Sequence, residues 1–109
     1  MALNFNSLVD NMVNEAKASL GEHWQGIKDV AIISFKSLAL HLTEIEKMKI
    51  NGTISEEKAS FLIGMQKDSI KIAIATEKGL TLIAAEAALN AAIDVIRGTV
   101  NRAIGFALL

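Results

Sequence analysis

The amino-acid sequence predicts an all-α fold, a long antiparallel two-helix hairpin, and three observations predict it. The 109 residues contain no Pro, so no ring removes a backbone donor or interrupts a helix. Apolar residues recur at helical spacing through the first half of the chain, and polar residues do so through the second. One strong stop-and-start signal lies near the midpoint, at Ile50-Asn51-Gly52-Thr53-Ile54-Ser55-Glu56-Glu57. At this length a single helical-hairpin domain over 1–109 is the natural expectation.

The first helix is expected over about 4–49. Phe5, Val9, Met12, Ala16, Leu20, Trp24, Ile27, Ala31, Phe35, Leu38, Leu42 and Ile45 follow one another at steps of three or four. Their mean step of about 3.6 residues is the α-helical period. The stripe keeps its phase through Gly21 and Gly26. Each glycine costs only about 1 kcal/mol relative to Ala in a helix interior, so phase continuity favours one unbroken helix.

The turn is expected at 50–53. Asn51 and Gly52 can adopt the left-handed conformation that ends a helix, and Lys47 and Lys49 suit its last turn. Thr53 or Ser55 can cap the next helix, and Thr53 with Glu56 has capping-box spacing.

The second helix is expected over about 54–104. Its polar stripe runs Glu57, Ser60, Gly64, Lys67, Lys71, Ala75, Lys78, Leu82, Glu86, Asn90, Asp94, Arg97 and Asn101, a mean step of about 3.7 residues. Each arm would then be roughly 65 Å long at about 1.5 Å per residue.

A lone hairpin leaves apolar surface without a partner. Between Leu80 and Ile96 the polar residues are Thr81, Glu86, Asn90 and Asp94, and three of them share one narrow stripe. A helix with one partner needs an apolar face of only roughly 100°. Val30–Leu42, with Lys36 as its only charge, makes the same demand. Alanines 84, 85, 87, 88, 91 and 92 suit close helix packing. The sequence therefore predicts self-association, a second hairpin completing a four-helix or larger bundle. The expected oligomer interface comprises Trp24, Ile33, Phe35, Leu40, Ile83, Ala84, Ala87, Ala88, Ala91, Ile104, Phe106 and Leu109. The tail from Arg102 to Leu109 overhangs the first arm and needs a partner, a fold-back or a lipid surface.

Composition narrows the function classes. Apolar residues make up 51% of the chain and mean hydropathy is +0.37, which excludes disorder. The longest uncharged stretch, Met1–Val9, is too short and too polar for a membrane span. No basic region precedes it as in an export signal, and the chain has no Cys, so a cytoplasmic location is expected. A net charge of −1 argues against nucleic acid.

Few motifs suggest chemistry. Lys49–Ile54 matches the middle of a calcium-binding helix–loop–helix, but the first, third and twelfth ligand positions would be Lys47, Lys49 and Lys58. His41 and Glu44 stand at i, i+3 and could share a metal. The paired Glu-x-x-His motifs of di-iron bundles are missing, however, and His23 has no convincing acid partner. No Cys, glycine-rich phosphate loop or nucleophile elbow is present, and nothing in the sequence assembles a Ser–His–acid triad. No cofactor and no enzyme activity are expected.

Trp24-Gln25-Gly26 is similar to the Trp-x-Gly signature of the small helical-hairpin proteins exported by type VII secretion. In that family the motif forms the turn between the helices, whereas the turn here is expected at Asn51-Gly52, so no function is carried over. Trp24 is read as a core or interface anchor. The leading expectation is a structural or interaction protein that self-associates and scaffolds a larger assembly. A lipid-surface or granule-coating protein, and an obligate subunit or adaptor with a protein partner, are the alternatives.

Overall fold

The computed structural model describes residues 3–77 and 79–109, and these contain four α-helices, one 3-10 turn and no strand. The helices are α1 (Phe5–Leu20), α2 (Trp24–Ile50), α3 (Glu56–Ile74) and α4 (Leu82–Ile104), with the 3-10 turn Gly21–His23 between the first two.

Contacts far apart in sequence fix how the helices run. The Leu3 amide donates to the Glu46 carboxylate, so the start of α1 lies beside the end of α2. His41 on α2 meets Gln66 on α3. Lys71 and Glu86 form an ion pair at 3.9 Å between α3 and α4. The Lys49 ammonium stands 5.7 Å from the Phe106 ring centroid, which brings the end of α4 back to the end of α2. Successive helices therefore run in opposite directions around one apolar cluster to which all four contribute.

The expectation of two unbroken arms, 4–49 and 54–104, is corrected. Each arm is folded in half, and the Cα body measures 44 × 23 × 18 Å. α1 lies against α4 and α2 against α3, the pairs that a chain reversal at Gly52 alone would bring together. Doubling over adds α1 against α2 and α3 against α4. The breaks are made by Gly21, at φ +56° and ψ −123°, and by Gly79, at φ +85°. Side chains bearing a Cβ rarely adopt such conformations.

The magnitudes explain why the breaks win over phase continuity. Interrupting a helix forfeits three or four backbone hydrogen bonds, each worth about 1 kcal/mol net. Fully burying one large apolar side chain contributes about 1.5–3 kcal/mol. Doubling over buries whole faces: Phe35, Leu38 and Leu42 of α2, and Ile93, Ile96 and Val100 of α4, are all fully enclosed. The apolar surplus of the sequence is thus largely covered by the chain itself, without the entropic cost of association.

The two stripes nevertheless describe the core and the surface correctly. Of the twelve apolar stripe residues from Phe5 to Ile45, eleven are buried and Phe5 is half-buried. No described member of the polar stripe is buried; Lys78 lies outside the described residues.

Three helices carry side-chain N-caps. Asn4 accepts from the Ser7 amide at 2.9 Å, Ser55 from Lys58 at 3.1 Å and Thr81 from Ala84 at 3.1 Å. Ser55 is therefore the cap of α3. The Thr53 hydroxyl instead donates to the Met48 carbonyl at 3.2 Å. Gly52, at φ +71°, takes the left-handed conformation, whereas Asn51 stays right-handed. α2 alone has no side-chain cap, since His23 precedes it in a helical conformation without such a bond.

The tail folds back. Gly105 closes α4, and the Asn101 Oδ1 accepts from the amides of both Leu108 and Leu109 at 3.0 Å. This places Leu108 in the core at 6% exposure. Trp24-Gln25-Gly26 opens α2 directly after the 21–23 turn, with Trp24 buried. A Cβ on Gly26 would run into the Glu77 carboxylate, so the two connections at this end of the molecule lie side by side.

Candidate interaction surface

α3 is apolar on two sides. Ala59, Ile63, Ile70 and Ile74 face the core. At 100° per residue, Phe61, Met65 and Ile72 fall on nearly the opposite side. They are 66%, 55% and 63% exposed. On α2, Ile33 and Leu40 are seven residues apart and share an outward face, at 69% and 49% exposure. Gln66 bonds both Ser37 and His41, a register that puts Leu40 level with Met65 and Ile33 level with Ile72. The outer side of the α2–α3 pair therefore carries five large exposed apolar side chains, interspersed with the exposed charges Lys36, Glu44 and Asp68.

A groove of about 500 Å³ runs between these two helices, lined by Ser37, His41, Glu44, Met48, Leu62 and Met65 among others. A second hollow of about 300 Å³ borders it between Ile33, Ser34, Ser69 and Ala73. Ser37 and Ser69 border both spaces, and their short side chains leave room between the longer ones around them.

Its polar lining is organised by Gln66. The amide nitrogen donates to Ser37 Oγ at 2.9 Å, and the amide oxygen accepts from His41 Nδ1 at 2.6 Å. A carboxamide oxygen cannot donate, so Nδ1 carries the proton and Nε2 of a neutral ring is left as an acceptor. Ser37, His41 and Glu44 line the same groove at i, i+4 and i+7 of one helix. Gln66 thus ties the Ser37 hydroxyl and the His41 imidazole to one side chain. His41 and Glu44, the pair weighed as metal ligands, share this groove. Among the described residues no three or more metal-ligating side chains come together.

The residues expected at an oligomer interface are distributed unequally. Trp24, Phe35, Ala88 and Ile104 are buried in the chain's own core. Ala84, Phe106 and Leu109 are half-buried against it and Ala91 is half-buried, while Ile33, Leu40, Ile83 and Ala87 are exposed. The structure brings Ile33 and Leu40 together with Phe61, Met65 and Ile72, which the sequence reading did not select. The signal was present: these α3 residues step by four and seven, off both the core face and the polar stripe. Ile83, at 83% exposure, lies apart at the start of α4 beside Leu82.

Glu46 was also not selected. It is the one buried charged residue among those described, at 4% exposure, and its two carboxylate oxygens accept the Leu3 amide at 3.0 and 3.2 Å. No described helix is long and apolar enough to cross a membrane. The chain matches no known protein family, no curated protein and no solved structure.

Proposed function

We propose that the protein is a non-enzymatic structural or interaction module that self-associates through the outer face of α2 and α3. The observation that carries this reading is the strip formed by Ile33, Leu40, Phe61, Met65 and Ile72, each at least 49% exposed and gathered on one side of the molecule, whereas the other large apolar residues exposed beyond 50%, Ile50, Leu82 and Ile83, stand at helix ends. A strip of this kind is self-complementary about a two-fold axis. Covering it contributes about 1 kcal/mol per half-exposed side chain, or roughly 10 kcal/mol for five from each copy. Association costs about 4–15 kcal/mol. The expected complex is accordingly weak, with a Kd on the order of tens of micromolar or higher.

Light scattering across a wide concentration range tests the proposal. The mass should rise with concentration, and Ile33→Glu combined with Met65→Glu should hold the protein monomeric at unchanged helicity. A wild-type protein that stays monomeric throughout refutes it. Retention on liposomes by a protein that is monomeric without them would instead support the lipid-surface reading.

A further inference from the structure

We propose that the folded-in-half chain is the closed form of an exchangeable pair, whose open form is a dimer of extended hairpins in which each copy's α1 and α4 pack on the other copy's α2 and α3. The partner is a second copy of this chain, and the surface it uses is the buried core rather than the outer strip, so the inference stands independently of the proposed function.

Four observations carry it. First, the apolar stripe keeps a step of about 3.6 residues straight through Gly21, and the polar stripe does so past Gly79. The burial pattern is therefore satisfied equally by a reversal and by a continuous helix at each of these points. With both breaks straightened, each stripe lies along one face of a continuous helix. Second, the first break is short, three residues between α1 and α2. Leu20, His23 and Trp24 all have right-handed helical backbones, and Gly21 is the one residue of the connection with positive φ. Third, α2 is the one described α-helix without a side-chain cap, so joining α1 to α2 removes no capping bond, and joining α3 to α4 gives up only the bond from the Ala84 amide to Thr81. Fourth, the two connections sit together, with the Glu77 carboxylate against Gly26, so both can open about one line.

Opening preserves the contacts of α1 with α4 and of α2 with α3 within each copy. The contacts of α1 with α2 and of α3 with α4 separate and are remade with the partner, which is the condition for domain exchange. Two antiparallel extended hairpins related by a two-fold axis at the hinge satisfy it. Each would be about 70 Å long at 1.5 Å per residue, against 44 Å for the closed body.

The test is Gly21→Ala combined with Gly79→Ala. No atom lies within 4 Å of a Cβ at either position, so the substitutions act on the backbone alone. Alanine disfavours positive φ and favours helix, each glycine contributing on the order of tenfold. A dimer contains four such positions, so its association constant should rise on the order of 10⁴-fold. The Ile33→Glu and Met65→Glu background removes association through the outer strip. In that background the expected result is a helical dimer, about 70 Å or more in its longest dimension by small-angle scattering. It should separate only slowly on dilution, because exchange requires the core to open.

A helical monomer at every concentration overturns the proposal, as does loss of helicity, since the open form makes both connections helical, Thr81 included. A dimer no longer than the closed body overturns it as well. Wild-type protein refolded at high concentration is the second arm: a slowly dissociating dimer fraction supports exchange, and its absence together with a monomeric double variant refutes it. Failure of self-association in the wild-type dilution series with success here would sink the proposed function and leave the exchange intact; the reverse pattern would do the opposite.

Discussion

Asn101→Ala should release the tail while leaving the body folded. The side-chain oxygen of Asn101 accepts two backbone amides at 3.0 Å, from Leu108 and Leu109, and these bonds hold Leu108 at 6% exposure. Truncation removes these two bonds, worth about 1 kcal/mol each, and a long one at 3.4 Å from its Nδ2 to the Leu109 carbonyl. It also frees Leu108 to leave the core, forfeiting about 2 kcal/mol. Against that loss of about 4 kcal/mol stands the entropy regained by Phe106–Leu109, about 1 kcal/mol or more per residue. The two sides nearly cancel, so the global midpoint should move by no more than about 1 kcal/mol, or roughly 4–8 °C. Locally the effect is large: the amides of Leu108 and Leu109 should lose their protection, while those of α4 up to Val100 keep theirs. Hydrogen exchange read alongside a thermal melt measures both quantities. A melt lowered by much more than 8 °C, or amides that stay protected in the variant, would refute the reasoning that the clasp and the tail entropy are balanced.

Two further outcomes follow from burial and backbone geometry. Gly64→Ala and Gly98→Ala should each stabilise the protein by up to about 1 kcal/mol in urea unfolding, because both glycines are helical and meet at most an ordinary contact. Gly26→Ala should gain less, since the Glu77 carboxylate must first move aside. Phe35→Ala, at a fully enclosed position, should cost about 3–5 kcal/mol, whereas Leu40→Ala on the outer strip should change stability by less than about 1 kcal/mol. Equal costs at the two sites would mean that Leu40 is enclosed in solution.

Periodicity made the composition of the core legible before its shape. The stripe from Phe5 to Ile45 specifies which side chains are buried, and that assignment is the same whether α1 continues into α2 or folds back on it. The break at Gly21 was hidden for that reason, since local pattern is equally satisfied by both outcomes and the choice rests on surfaces distant in sequence. The turn at Asn51-Gly52 was legible because capping chemistry is local, and Ser55 emerged as one of two candidates. The groove was partly legible: Ser37, His41 and Glu44 are spaced along one face of α2, but Gln66, which ties two of its side chains together, is 25 residues beyond His41. Glu46 was beyond reach, as its partner amide lies 43 residues away.

That partner has a consequence for how the molecule opens. Glu46 holds the segment before α1, and Lys49, one helical turn later, stands over the Phe106 ring of the tail. The last turn of α2 is thus a common mooring for both extremities of the described chain. Fraying of that turn would loosen residues 3–5 and 106–109 together, so the two outermost segments should belong to one cooperative unit despite being separated by nearly the whole sequence.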